Sequence, residues 1–351
     1  MRRPFGAALV AVLTVAVLVM AVAAGVYAWR SAMLWLQQPL TRIAAPTMYE
    51  IPLGASVNSV AQDLHSRGVL EHPRLFALWA RYQGKARGLK AGEYELQPSL
   101  SPAQLLELFV SGQVYLHGIT FVEGTTFADI RRQLAQNPAI KQRLAGASPT
   151  VSPEQVMTAI GAPELPAEGQ FFPDTYKFPR GTADEDILAI AHRRMQQELQ
   201  SAWDSRSPDV PLANPQEALV LASIVEKESA LDSERPLIAG VFVSRLREGM
   251  RLQTDPTVIY GLGPSFDGNL RRADLSRDTP FNTYTRAGLP PTPICLPGAA
   301  SLRAATRPNV SGALYFVATG NGDGSHHFSR SLAEHEKAIR RYLAKLKARD
   351  S

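Results

Sequence analysis

Hydrophobic and polar positions are distributed unevenly along this chain. Residues 6–28 run 23 positions without a charge, bounded by Arg2 and Arg3 before and Arg30 after. A helix of about 20 apolar residues crosses the hydrocarbon of a bilayer, so the stretch predicts a membrane span. Residues 21–23 (Ala-Val-Ala) would also suit cleavage of a signal peptide. The length of the run, with Tyr27 and Trp29 where an interfacial aromatic belt falls, favours a retained anchor. Nothing later is apolar enough to return. The reading is therefore a cytoplasmic tail at 1–5, a span at 6–28 and a stalk at 29–48, with the remainder outside the cytoplasm. A single free cysteine fits a bacterial envelope protein, so a single-pass inner-membrane protein with that remainder in the periplasm is expected.

Beyond the stalk the pattern becomes periodic. Residues 51–56 (Ile-Pro-Leu-Gly-Ala-Ser) lead into Val60 and Leu64, and residues 120–126 (Thr-Phe-Val-Glu-Gly-Thr-Thr) lead into Ile130 and Leu134. In both, the apolar pair falls 6 and 10 residues after the glycine. A related version at 94–101 precedes Leu105 and Leu108. Each predicts a short strand, a turn, a Ser or Thr N-cap and an amphipathic helix. Such units, spanning 49–136, resemble LysM-type glycan-binding modules, and they are equally common as plain packing units. Residues 137–170 read as a connection with a helix near 153–160. From 171 to 351 helices are expected at 184–203, 215–231, 234–249 and 331–348, with a strand at 313–319. The stretch 250–298, rich in Thr, Pro, Gly, Asn and Tyr, reads as a long irregular loop, and loops of that length are usually functional. The fold class is α+β.

One helix carries candidate chemistry. Asn214, Pro215 and Glu217 form a strong start signal, with Asn as cap, Pro first and Glu third. Ala218, Leu221, Ala222 and Val225 then mark an apolar stripe that extends to Glu228 and Leu231. At helical pitch Glu226 and Lys227 point roughly 160° and 100° away from Glu228. Of the two acids only Glu228 is expected on the buried face, and no second acid shares its stripe. Burial among aliphatics disfavours the ionised carboxyl and raises its pKa, as general-acid cleavage of a glycosidic bond requires. On periodicity alone a second reading stands beside this one. Glu228 is then a helix-terminal acid whose head reaches water or an arginine such as Arg245.

Composition narrows the chemistry. One cysteine, Cys295, excludes an internal disulfide framework and a multi-thiolate metal site. The 7 histidines form no HExxH or His/Cys cluster, and no GxGxxG or GxxxxGK[ST] occurs, so neither metal nor nucleotide cofactor is expected. The 37 Lys and Arg exceed the 32 Asp and Glu, giving +5 and a pI near 9.3. Much of that excess sits at the two ends rather than in a basic stripe with stacking aromatics, so nucleic acid is not an expected partner.

Several stretches together resemble the MltG (YceG-like) family of endolytic murein transglycosylases. They are 168–176 (Glu-Gly-Gln-Phe-Phe-Pro-Asp-Thr-Tyr), 222–230 (Ala-Ser-Ile-Val-Glu-Lys-Glu-Ser-Ala), 241–247 (Val-Phe-Val-Ser-Arg-Leu-Arg) and 249–261 (Gly-Met-Arg-Leu-Gln-Thr-Asp-Pro-Thr-Val-Ile-Tyr-Gly). The segments 282–284, 288–291, 297–298 and 315–317 continue the match, which covers essentially the whole chain. The resemblance places the catalytic glutamate second in Glu-Lys-Glu, at Glu228, in a mainly helical lysozyme-like domain. Glu228 with Ser229 also resembles the Glu-Ser motif of lysozyme-like lytic transglycosylases.

What the resemblance implies is cleavage of the β-1,4 bond between N-acetylmuramic acid and N-acetylglucosamine inside a peptidoglycan strand. A 1,6-anhydro end would form, nascent strands would be cut short, and peptidoglycan synthases would lie nearby. Ser229, Gln253, Thr254, Tyr260, Asn282 and Tyr284 are the expected substrate-binding residues, offering amides, hydroxyls and aromatic faces to N-acetyl groups and sugar rings. Arg251, Arg271 and Arg272 could meet substrate carboxylates or form surface ion pairs. Asp255 reads as an N-cap before Pro256, His326 and His327 as a loop-to-helix transition, and Asp174 as a turn holder. Two rival functions remain: a non-catalytic glycan-binding scaffold and a muramidase that uses water.

Overall fold

The structure, a computed structural model, describes residues 5–40, 43–144, 151–229 and 231–349. Arg2 and Arg3 with most of the 1–5 tail, positions 145–150 of the connection, and Ala230 lie outside them. The described chain mixes helices with small two-stranded sheets and divides into two compact units, Met1–His117 and Gly118–Ser351.

The first unit begins with α1 (Phe5–Gln37), a single helix of 33 residues. Its stretch Leu9–Gln37 is long and apolar enough to cross a membrane. Side chains such as Leu9, Val15, Met20 and Val22 are exposed all round it, the pattern of a helix made for an apolar surround. Then follow β1 (Thr47–Ile51), α2 (Val57–Ser66), α3 (Pro73–Tyr82), β2 (Gly92–Leu96) and α4 (Pro102–Ser111). β1 pairs antiparallel with β2, Tyr49 opposite Tyr94 and Ile51 opposite Gly92, so two helices are enclosed in a β-α-α-β arrangement. Strand alternation turns Tyr49, Ile51, Tyr94 and Leu96 into a core with Val60, Leu64, Phe76 and Phe109. The caps are local and legible. Ser56 accepts from the Ser59 amide, and Ser101 with Gln104 forms a full capping box.

β3 (Leu116–Thr120) pairs with β4 (Thr175–Pro179), which the recurrence of strand-turn-helix units does not anticipate. Around them the second unit sets α5 (Phe127–Gln136), α6 (Pro153–Ala159) and α7 (Asp184–Asp204) over a core that includes Phe121, Ile130, Phe171 and Leu188. A second core surrounds α8 (Pro215–Glu228), packed by α7, α9 (Arg235–Arg247), α10 (Asp255–Leu262) and α12 (Ala299–Thr306). All eight residues from Ala218 to Val225 are buried, so α8 is a central helix rather than a one-striped one. Close packing of α9 depends on Gly240, where a Cβ would stand 2.0 Å from the Asn309 carbonyl oxygen.

The long stretch 250–298 is less irregular than its composition suggests, since it contains α10, a 3-10 turn at Gly263–Ser265 and α11 (Arg272–Ser276). The hairpin of β5 (Tyr315–Ala318) and β6 (His326–Ser329) precedes α13 (Leu332–Arg349). His326 and His327 therefore lie in a strand, not in a loop-to-helix transition. The pairing of His326 with Ala318 and of His327 with Val317 determines this, and strand pairing is a long-range effect that local sequence does not display.

Candidate active site

The site is built outward from the end of α8. Asn214 accepts the Glu217 amide at 3.0 Å, and Glu217 in turn accepts the Ala213 amide at 2.7 Å, which starts the helix firmly. Fourteen residues later the helix ends with Glu228 in its last turn, and Ser229 leaves in an extended conformation. The Glu228 carboxyl is half-buried and opens onto a cleft of about 380 Å³.

Four segments distant in sequence wall this cleft. Arg245 comes from α9, Leu252, Gln253 and Asp255 from the segment entering α10, Tyr284 from the loop after α11, and Tyr315 and Phe316 from β5. Leu332 and His335 on α13 close the rim. Larger openings, of about 700, 820 and 430 Å³, lie beside α3, on the polar face of α7 and between α1 and α3. None of them gathers a carboxyl, a guanidinium, an amide and tyrosines around one space as this cleft does.

The Thr254 hydroxyl donates to Oε1 of Glu228. Burial pushes the Glu228 pKa upward, and the charge of Asp255 pushes the same way, while the Thr254 hydrogen bond and the charges of His326 and Arg245 oppose them. The C-terminal end of α8 is the negative pole of its dipole and adds to the upward push. Arg245 does not clamp the carboxyl. It donates Nε to the Leu314 carbonyl at 2.7 Å and Nη1 to the Leu252 carbonyl at 2.6 Å, with its guanidinium 5.2 Å from the Tyr315 ring centre. It acts on Glu228 as a nearby charge.

The residues expected to bind substrate separate into two groups. Gln253 and Tyr284 line the cleft. Gln253 does so in a left-handed backbone conformation, φ 51°, and is the one residue other than glycine with positive φ among the described residues. Thr254 is buried and spends its hydroxyl on Glu228. The other three face inward for structural reasons. Ser229 closes its own turn with Leu231, donating to its carbonyl and accepting from its amide. Asn282 is fully buried, donating to the carbonyls of Asp274, Leu275 and Arg277 and accepting the Tyr284 amide. Tyr260 packs on Phe281 and donates to Glu168 at 3.1 Å.

Several features differ from the sequence reading. Glu226 does not point to solvent. Its side chain is 5% exposed, with Oε1 on Arg235 at 3.0 Å and Oε2 on the Gly298 amide at 2.9 Å. The reason is that segments far along the chain cover the back of α8. Asp255 is not an N-cap, because α10 begins on it and Thr254 takes the cap position. Its carboxylate instead accepts the Tyr284 hydroxyl at 2.5 Å and faces the cleft, a second acid supplied from off the helix. Arg271 pairs with exposed Asp267, and Arg251 donates to the Tyr284 carbonyl. Asp174 holds a turn through the Thr175 amide. Buried Cys295 donates to the Ser223 carbonyl, and burial raises its thiol pKa, leaving it unreactive.

Three further groups have surroundings that the sequence does not display. His335 stacks on Tyr315 with 5.0 Å between ring centres, its Nδ1 lacks a hydrogen-bond partner, and burial lowers its pKa. His326 meets Glu234 through Nδ1 at 2.7 Å and through its amide at 3.0 Å. Glu168 is pushed up to about 7 by burial, against hydrogen bonds from the Phe127 amide and Tyr260. The only local signal was the helical spacing of Leu332 and His335. Among the described residues no three His, Cys, Asp or Glu side chains converge as metal ligands.

Comparison with known proteins agrees with this architecture. A protein of Bacillus subtilis named endolytic murein transglycosylase is 31% identical over 324 residues, covering 88% of each chain. A longer protein of that name from Streptococcus pneumoniae is 28% identical over 322 residues, which are 84% of this chain and 58% of that one. The crystal structure of a YceG-like protein from Listeria monocytogenes superposes with a TM-score of 0.51 at 31% identity, over 83% of this chain and 98% of that one. Residues 49–341 match the pattern of the YceG-like family, and on that match the chain belongs to this family.

Proposed function

We propose that the protein is an endolytic murein transglycosylase whose acid and base is Glu228. The relatives' shared name supports the reaction class. The observation that carries the residue assignment is a carboxyl with raised pKa at a cleft wall, oriented by Thr254 and not tied up by a cation. Glu228 in its acid form protonates the oxygen of the β-1,4 bond between N-acetylmuramic acid and N-acetylglucosamine, and that bond breaks. The carboxylate then takes the proton of the muramoyl C6 hydroxyl as its oxygen bonds to C1. A 1,6-anhydro end and a free hydroxyl result, water is not consumed, and Glu228 is protonated again. The nucleophile belongs to the substrate, so one carboxyl suffices, unlike the usual pair.

In this reading α1 anchors the protein in the inner membrane with the rest in the periplasm. The β-α-α-β unit acts as a LysM-like glycan-binding module, and the enclosed end of α8 plays the part that the catalytic glutamate plays in lysozyme-like enzymes. The cut then terminates growing strands close to the synthases that make them.

A second reading draws on Asp255. A muramidase would use that carboxylate to activate water on the far side of the sugar ring. Digestion of purified glycan strands with the full-length protein in detergent, followed by mass analysis of the fragments, separates the readings. Anhydro ends are the expected result. Reducing ends heavier by one water support the muramidase, and no new ends support a binding scaffold.

A further inference from the structure

An apolar groove with no assigned use, of about 430 Å³, lies between α1 and α3. Ala32 and Leu36 of α1 and Leu75 and Leu78 of α3 form its sides, and the rings of Trp29 and Tyr82 stand at one end. The two helices run antiparallel here. The Trp35 ring lies 5.2 Å from His72 at the start of α3, and the Trp29 ring lies 5.9 Å from Tyr82 at its end. The end of α3 therefore reaches back along α1 toward the 6–28 apolar run.

The depth of that contact follows from helix geometry. At 1.5 Å per residue, a hydrocarbon layer of about 30 Å uses about 20 residues of the run, so the bilayer boundary falls near residues 25–29. Tyr82 touches Trp29, and Trp79 stacks on Tyr82 with 5.7 Å between ring centres. Three amphipathic rings are thus gathered at the level where tryptophan and tyrosine are most stable in a membrane. Leu78, one turn before Tyr82 on α3, is 61% exposed and Tyr82 itself 70%. Soluble surfaces rarely leave such residues together in contact with water. Arg30 and Arg81 adjoin Trp29 and Tyr82 in sequence, the charge that anionic headgroups favour.

We propose that α3 is a second membrane contact, with Leu78, Trp79 and Tyr82 seated in the boundary between headgroups and acyl chains beside Trp29. The occupant of the groove is lipid. This rests on the reading of α1 as a membrane span, and it adds that the first unit lies against the bilayer through α3 instead of standing off on a flexible stalk.

The test uses the four tryptophans, Trp29, Trp35, Trp79 and Trp203. Two full-length variants, one keeping only Trp79 and one only Trp29 with Phe elsewhere, are reconstituted into phosphatidylethanolamine–phosphatidylglycerol vesicles. These carry bromine either near the top or deep in the acyl chains. Trp79 is expected to lose about a third of its emission or more to the shallow bromines and less to the deep ones. Adding Leu78→Glu and Tyr82→Glu, both at exposed positions, should abolish most of that loss without unfolding the unit. Unquenched Trp79 beside quenched Trp29 overturns the α3 contact and leaves the span standing, as does quenching unmoved by the two glutamates. If Trp29 too is unquenched, the span and the contact fall together.

Discussion

Glu226 and Glu228 stand two residues apart at the end of α8, the first with its side chain buried and the second half-buried at a cleft wall. Their partners set them apart. Glu226 has strong donors on both oxygens, a guanidinium and a backbone amide. Glu228 has one hydroxyl on one oxygen and a cleft in front of it. Full partners on both oxygens fix Glu226 in place, whereas Glu228, with a single weak donor, is left facing the cleft. Burial alone therefore does not distinguish the two acids, and the accounting of donors does.

The sharpest way to break this comparison is Glu228→Gln. Cleavage of glycan strands should fall by about a thousandfold or more, the range expected for loss of a general acid. Thermal stability should hold or rise. The folded-state pKa of Glu228 is raised, so its contribution to stability is full below the unfolded pKa and is lost as pH rises through the folded value. The glutamine variant escapes that loss, and its melting temperature should depend less on pH on the alkaline side. Retained activity would remove Glu228 from the mechanism.

Glu226→Gln should do the opposite. Removing Glu226 from the buried pair leaves Arg235 with the exposed carboxylate of Asp232 and costs about 2 kcal/mol or more. Denaturant melts should show the loss, while the folded fraction keeps activity within a few-fold. Equal loss of activity at unchanged stability would place Glu226 in the chemistry.

The smallest effect is expected from Asp255→Asn. Its negative charge raises the Glu228 pKa, so its removal lowers that pKa. Activity that needs protonated Glu228 then fails at lower pH, and the alkaline limb of the rate profile should move toward acid with the peak rate changed only modestly. Complete loss at every pH would favour the muramidase reading.

What the sequence reveals of this fold is mainly what lies within one turn of helix. The start of α8 at Asn214 and Pro215, the boxes at Ser101 and Thr126, and Glu228 at the helix end all rest on neighbours three or four residues away. The burial of Glu226 has no local sign, because its partners Gly298 and Arg235 come from segments brought in by tertiary packing. The strand holding His326 depends on a partner eight residues back across a glycine-rich turn. Ser229, Asn282 and Tyr260 drew notice for chemically apt side chains, yet the fold commits those groups to backbone carbonyls or to Glu168, and sequence alone cannot report that commitment. Thr254, expected to bind substrate, instead gives its hydroxyl to Glu228, a hydrogen bond that spans 26 residues and has no local trace.

Arg245 joins the carbonyl of Leu252 to that of Leu314, so a single side chain bridges two walls that are otherwise separate in sequence. The spacing of those two segments is therefore tied to the reach of one guanidinium. A lysine there, with one compact ammonium in place of a planar fork, would not reproduce that pair of hydrogen bonds, so the two segments would lose their common tie.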